Sequence, residues 1–388
     1  MTSAALFALC AWTALHGQIA VSMANVLLWA IVFRIPFILS PPVLSDDVWR
    51  YLWDGKVAVA GINPYSYAPD DPALFSLRDG LWDRVNHRSV PTIYPPFAQI
   101  LFRLAASNGG LGAWKVLVLG FDLASIGALV TGLERRERAP AHVLLYAWNP
   151  LVLVEFAWSA HVDVAAVALA TWAIVVAAKR REAASLVLVS IATGIKLFPA
   201  LLLPALLRRA TTRRSWAIPV AIAIIGSVPY VSSGMPAWFR GLRIYARDWE
   251  FNGLPYLLCR AVVHDPMWAR LILFVTLTAT TVVVTARRSK PADCAVGVLA
   301  ACVAMSPTVH PWYVTWPLPA AVLSDRPPRV ACLLATLVVL VAYVVLVVRE
   351  ATGIWRLPQA WLLLEWSVVI VAFMVEHFSH VRRSAARR

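Results

Sequence analysis

Two adjacent carboxylates, Asp46 and Asp47, stand at the edge of an apolar segment, in the run SDDVWRYLWDGKVAVAGINPYSYAPDDP from Ser45 to Pro72. Sequence that only crosses lipid has no use for such a pair. Chemistry on a polar substrate at a membrane surface does, because an ionised carboxylate can take the proton of an attacking hydroxyl. Ser45 is placed to cap a helix running to about Ala60, with both aspartates in its first turn. There the free N–H groups and the helix dipole favour charged carboxylates. The spacing i, i+3, i+4, i+7 puts Asp47, Arg50, Tyr51 and Asp54 on one face. Trp49, Trp53 and Lys56 share another face, suited to the interfacial zone. Gly61 ends the helix, and INPYSYAP reads as a turn-rich exit. The plain structural alternative is that Asp46 and Asp47 do no more than cap this helix.

Other residue types recur where chemistry needs them. His161 and Asp163 share one interspan turn, and His310 lies in another, within SPTVHPWY. Lone histidines at helix ends are usually hydrogen-bonded structural groups; two on the side of the acidic segment point to a shared site. No HxxxH or CxxC spacing supports a metal. The cysteines (Cys10, Cys259, Cys294, Cys302, Cys332) have no paired spacing, so neither a disulfide framework nor a metal site is expected. Arg34, Asp122, Glu155 and Lys196 fall inside apolar runs, where charge is costly and faces a cavity or another charge. Arg34 and Lys196 suit a phosphate, one as a fork and the other as a point charge. The alternative pairs them with Asp122 and Glu155 to hold helices together, the reading preferred for Asp122.

The elements that must position these groups follow from composition. The 388 residues are 60% hydrophobic and 14% charged, against roughly 25% charged in soluble domains. The apolar residues come in runs approaching the ~20 needed to span a bilayer as helix. The expectation is a single all-α polytopic membrane domain over 1–388, with about 11–13 hydrophobic segments by that ruler. A β-barrel would show short alternating segments instead. The net charge of +14 is concentrated after apolar runs. The clusters are Arg135, Arg136 and Arg138; Lys179 to Arg181; Arg208, Arg209, Arg213 and Arg214; Arg287, Arg288 and Lys290; and the tail from Arg382 to Arg388. By the positive-inside rule they mark the cytoplasmic face; because each caps an apolar run, nucleic acid is not the expected partner. The long loop 41–96 and a second loop, 232–266, then lie outside. One stretch is ambiguous. Ala184 to Leu207 has basic clusters on both sides but length for one crossing, so it is either a broken re-entrant hairpin with Gly194, Lys196 and Pro199 near its tip, or a span that breaks the charge rule. No cleavable signal peptide is evident.

The segments SDDVWRYLWDGKVAVAGINPYSYAP, TIYPPFAQILF, NPLVLVEFAWSAHVD, GIKLFPALLLPALL and SPTVHPWYVTWPLP, in that order, resemble the polyprenyl-phosphate-dependent glycosyltransferases of the GT-C superfamily. The similarity runs from about Arg34 to Pro319, and the branch it looks like is the actinobacterial-type mannosyltransferases. The resemblance implies a GT-C-like bundle with a long first extracytoplasmic loop. It implies transfer of a sugar, commonly mannose, from a polyprenyl-phosphate donor to a lipid or glycan acceptor, with inversion, at the outer face of the plasma membrane. An aspartate of the first external loop is the base, which maps onto Asp46–Asp47. The chain departs from the pattern at Ala160-His161-Val162-Asp163, where relatives often carry a GHND-like turn, and Trp158 adds bulk; its N-terminus is shorter than is usual for such proteins.

The residues suit that chemistry. A lipid phosphate leaves as a stable anion and needs cationic or N–H donors where charge develops. Arg34, Arg50, Lys196, Arg243 and His310 are the candidates. Trp53, Asp54, Tyr94, His161, Asp163, Trp312 and Tyr313 are candidates for contact with the sugars, although interface anchoring is the commoner role for most of the 18 tryptophans. No cofactor or metal is expected. Two other classes share some of these features. A transporter or flippase also carries intramembrane charges, but usually with paired repeats and a midplane site, which this chain lacks. A polymerase or ligase of lipid-linked glycans would share the outer-face base.

Overall fold

A backbone surrounded by lipid must satisfy its own polar groups, and runs of apolar residues do so as helices. The computed structural model describes residues 2–134, 136, 139–287 and 289–385. Arg135, Arg138, Arg288 and the last two arginines of the tail, all assigned above to basic clusters, lie outside the described residues. Among those described, five helices are long and apolar enough to cross a membrane: Leu111–Leu133, Arg213–Ser232, Pro266–Ala286, Arg329–Thr352 and Gln359–Ala385. Seven shorter apolar helices of 10–17 residues join them. The total agrees with the expected range, and the protein is a polytopic all-α membrane protein. The only extended pairing among the described residues is an isolated bridge of Phe251 and Asn252 with Thr308.

The helix Leu111–Leu133 has 23 residues and so spans about 35 Å, which separates two ends of the bundle. At its start, Trp114 Nε1 donates to the Ala160 carbonyl at 2.8 Å. At its finish, Glu134 pairs with Lys179 at 3.3 Å, and the helix Asp163–Ala178 runs between those same ends. The described basic clusters collect at the second end. Arg136 forks onto Asp325 at 2.9 and 3.1 Å, Ser324 Oγ donates to Asp293 at 2.6 Å, and Arg208 donates to the Thr285 carbonyl at 3.1 Å.

The ambiguous stretch is a hairpin. Glu182–Thr193 has 12 residues, about 18 Å of helix, too short for a ~30 Å core. The chain turns at Gly194–Lys196 and returns through Phe198–Leu202 and Leu203–Leu207. Its two ends meet: Thr211 donates through N and Oγ1 to Glu182 Oε2 at 2.7 and 3.1 Å. Gly194 permits the turn to touch the next layer, because a Cβ there would lie 2.2 Å from the Phe97 ring. Its carbonyl accepts from Phe97 N at 2.8 Å, capping the helix Pro96–Ser107.

The apolar run from Ala141 to Trp158 is not one continuous helix. Ala139–Ala147 is followed by Pro150–Val152 and a wide π turn over Leu153–Trp158. Pro150 has no N–H to give, and Leu151 N donates to the Asn149 side chain at 3.0 Å rather than continuing the ladder. The long loop folds around its own small core of Trp53, Val57, Leu74 and Val85.

Candidate active site

Asp46 and Asp47 begin the helix Asp47–Val59, but neither carboxylate caps it. The cap bond comes from Ser45, whose Oγ accepts from Asp47 N at 3.3 Å. The carboxylates turn to another partner. Asn86, arriving from the far side of the loop, donates through Nδ2 to Asp46 Oδ1 at 2.8 Å and to Asp47 Oδ1 at 2.9 Å. Asp46 is at the exposed rim and Asp47 is half-buried. Partial loss of water around the Asp46 carboxyl, together with the charge of Asp47, raises its pKa. Asp47 faces inward electrostatically: its charge acts on Tyr94, His161, Tyr245 and His310.

The turn after the π segment brings the second group. His161, Asp163 and Glu155 are fully buried. His161 Nδ1 lies 3.1 Å from the Glu155 main-chain carbonyl and 3.1 Å from its carboxylate. A carbonyl only accepts, so Nδ1 carries a proton. Nε2 meets Ser45 Oγ at 3.1 Å. Burial lowers the imidazole pKa, but hydrogen bonding and charge from Glu155 outweigh it, and the net shift is upward. Ala160, just before, has φ of +56°, a left-handed conformation that glycine adopts freely.

Asp163 fixes the third group. Its Oδ1 accepts from Trp316 Nε1 at 2.7 Å, and its Oδ2 pairs with Lys196 Nζ at 3.1 Å. Lys196, at the hairpin tip, is 15% exposed. Its ammonium sits over the rings of Tyr94 and Tyr313, 5.5 and 5.4 Å from their centroids. An ammonium has three protons, so it keeps donors beyond its one ion pair.

Aromatic rings form the remaining wall. His161 stacks on Trp312 at 4.0 Å, Trp312 on His310 at 4.4 Å, and His310 on Phe251 at 5.2 Å. Tyr313 stacks on Trp316 at 4.2 Å and shares a 2.5 Å hydroxyl contact with Tyr245. Loss of water around the stacked His310 ring pushes its pKa down to about 3. It is therefore neutral at physiological pH and can offer a phosphate an N–H but no charge.

The structure brings Asp46, Asp47, His161, Asp163, Lys196, His310, Trp312, Tyr313 and Tyr94 to one end of the bundle, opposite the basic clusters. It places the five other candidates, Arg34, Arg50, Trp53, Asp54 and Arg243, elsewhere. Arg34, expected at a phosphate, is 1% exposed and pairs with Asp122 at 2.6 Å. Its Nη1 donates to the Ala30 and Ala147 carbonyls at 2.7 and 2.8 Å; Nη2 alone has no hydrogen-bond partner among the described residues. Arg50 pairs with Asp54 at 2.9 Å, both buried, so the face shared by i, i+4 spacing closes on itself. Trp53 fills the core of the loop and is 1% exposed, leaving no ring face for a sugar. Arg243 stands exposed on the helix Arg240–Asp248.

Asn86, Ser45, Tyr245 and Trp316 were missed as site residues. Asn86 sits 39 residues from Asp47 in a loop without periodicity, and no spacing rule links the two. Ser45 was legible only as a helix cap.

Residues 1–212 match the family model described as alpha-(1->6)-mannopyranosyltransferase, N-terminal domain. The alpha-(1->6)-mannopyranosyltransferase A of Corynebacterium glutamicum is 27% identical over 186 residues, covering 44% of this chain and 36% of that protein. The protein of the same name from Mycobacterium tuberculosis is 25% identical over 197 residues, covering 48% of this chain and 38% of its own length. The aligned stretch thus spans little more than a third of each relative. No solved structure matches. The family match takes in more than half of the 388 residues, including the SDD segment, the His161 turn and the Lys196 hairpin tip, and the chain belongs to the alpha-(1->6)-mannopyranosyltransferase family.

Proposed function

We propose that this protein is an inverting mannosyltransferase. It moves mannose from a polyprenyl-phosphate donor to a lipid or glycan acceptor at the extracytoplasmic face of the plasma membrane. Asp47 is the base and loop 41–96 is the catalytic loop, with loop 232–266 beside it. The observation that carries this reading is that Asp47 and Lys196 both act on Tyr94 and His310 within an aromatic wall, at the end of the bundle remote from the basic clusters.

In the reaction the acceptor hydroxyl gives its proton to Asp47 as its oxygen attacks the anomeric carbon. The bond from that carbon to the phosphate oxygen breaks on the opposite face, and the electron pair leaves with the lipid phosphate. Attack and departure on opposite faces invert the centre. Lys196 meets the growing charge, and the neutral His310 adds an N–H donor. Asp163 holds Lys196 in place. The rings of Trp312 and Tyr313 offer faces for a sugar. The positive-inside rule supports the outer-face assignment, because the basic clusters lie at the other end.

The test uses the purified full chain with radiolabelled polyprenyl-phosphate-mannose and a membrane lipid extract, followed by product analysis. Asp47→Asn is expected to lower transfer by roughly 10²–10⁴-fold with folding intact. Asp46→Asn, at the rim, is expected to act more weakly. Near wild-type transfer by Asp47→Asn rejects the assignment of the base.

A further inference from the structure

The pair Asp46–Asp47 poses a physical problem. Two carboxylates that approach one nitrogen within 2.8 and 2.9 Å repel each other, and the charge of Asp47 helps to raise the pKa of Asp46. Something must hold them together. We infer that Asn86 is the positioning residue of the carboxylate pair, a neutral double donor that fixes both side chains and holds Asp47 in place. This rests on the reading of Asp47 as the base.

The amide suits the task. Its two N–H groups can serve one carboxylate each, and hydrogen bonds to the charged form of a carboxyl favour that form. Being neutral, Asn86 adds no counter-charge that would weaken the basicity of Asp47 further.

Asn86 is itself held. The next residue, His87, has φ of +43°, a costly conformation for a residue with a Cβ, kept only where its surroundings impose it. Its ring packs edge-on against Trp249 at 4.7 Å. Trp249 in turn lies 5.3 Å from Tyr245, whose hydroxyl touches that of Tyr313. The tip of the long loop is therefore anchored to the second loop on one side and to the carboxylates on the other. The titratable groups that act on or feel the pair are His87 and Tyr94 from the same loop, Tyr51 from the helix, His161 from the interspan turn, Tyr245 from the second loop, and His310; the Lys196–Asp163 ion pair lies beyond Tyr94.

The experiment compares wild type, Asn86→Ala and Asn86→Asp as purified full chains, with the same radiolabelled donor and lipid extract. kcat/KM is followed from acid to alkaline pH, and thermal unfolding in detergent is followed over the same range. Loss of the donors is expected to move the acid limb of Asn86→Ala upward by about one pH unit, a tenfold loss on that limb, since a hydrogen bond to a charged group is worth about one such unit. Asn86→Asp adds a third negative charge and is expected to move it further. The melting-temperature gap between wild type and either variant is expected to be widest at neutral pH and to close as the carboxyls are protonated. A merely structural asparagine would lower activity and stability by the same factor at every pH, and that result overturns the proposal. If wild type transfers no sugar, the catalytic reading fails by itself, and the pH dependence of the melting gap still decides whether Asn86 holds the pair.

Discussion

Replacement of Arg34 separates its two readings, phosphate ligand or interior ion pair. In the structure Arg34 Nε donates to Asp122 Oδ2 at 2.6 Å, with both side chains 1% exposed. Asp122 Oδ1 accepts from the Tyr146 hydroxyl at 3.0 Å. Nη1 also serves the Ala147 carbonyl at 2.8 Å. That carbonyl sits where the helix breaks: the amide four residues on, Leu151 N, is committed to the Asn149 side chain. Arg34→Met therefore strands a buried carboxylate with one neutral donor and leaves a buried carbonyl short of a partner. Breaking a buried pair by removing one partner costs about 3–5 kcal/mol, and a stranded carbonyl about 1–3 kcal/mol when counted alone. The two effects share one environment and do not add in full, so the expected loss is about 3–5 kcal/mol. Asp122→Asn keeps both carbonyl bonds of Arg34 and is expected to cost less. The double change Arg34→Met with Asp122→Leu, which removes both charges, is expected to recover part of the loss. The assay is denaturant unfolding in detergent, with the donor KM measured on the folded fraction. The expected donor KM is within about twofold of wild type, less than the tenfold that 1.4 kcal/mol of lost binding would give. A variant with wild-type stability and a donor KM raised tenfold or more refutes the argument and returns Arg34 to the phosphate.

Two further outcomes follow from the geometry around the site. A Cβ on Gly55 would lie 2.2 Å from the Phe102 carbonyl oxygen and 2.6 Å from its carbon. Backbone cannot yield as a side-chain tip does, so Gly55→Ala is expected to cost about 1–3 kcal/mol and to lower kcat by tilting the helix that carries Asp47; unchanged melting and turnover would contradict this contact. His310 has a folded pKa of about 3, below its ordinary value near 6.5. Unfolding therefore takes up a proton in that interval, so stability is lost as pH falls from about 6.5 towards 3. His310→Gln is expected to flatten that part of the melting-temperature profile, and an identical slope in the variant would count against a neutral His310.

Much of the site was legible because charged and polar residues stand out in an apolar chain. Asp46, Asp47, His161, Lys196 and His310 are each anomalous in their own neighbourhood, and their cost in lipid argues for a purpose. Their assembly was legible only as a shared membrane face. The contacts were not. Asp163 divides its two oxygens between Trp316, 153 residues later, and Lys196, 33 residues later, and nothing in local spacing announces either bond. Arg50 and Asp54 were grouped correctly by helical spacing. Which way that face turned was a matter of packing, and it turned into the protein and closed as an ion pair.

By itself the sequence determined that the chain is helical, that it crosses a bilayer many times, and which of its ends carries positive charge. These follow from composition and the order of apolar and basic runs, because lipid leaves a backbone no alternative to internal hydrogen bonding. Tertiary structure alone decided how each costly charge is compensated. It gave Arg34 to Asp122 and Lys196 to Asp163, folded Glu182–Leu207 back on itself, and set Asn86 across two carboxylates. Such choices depend on distances between residues far apart in the chain, and Coulomb and hydrogen-bond energies are settled by those distances and by burial, not by position in sequence.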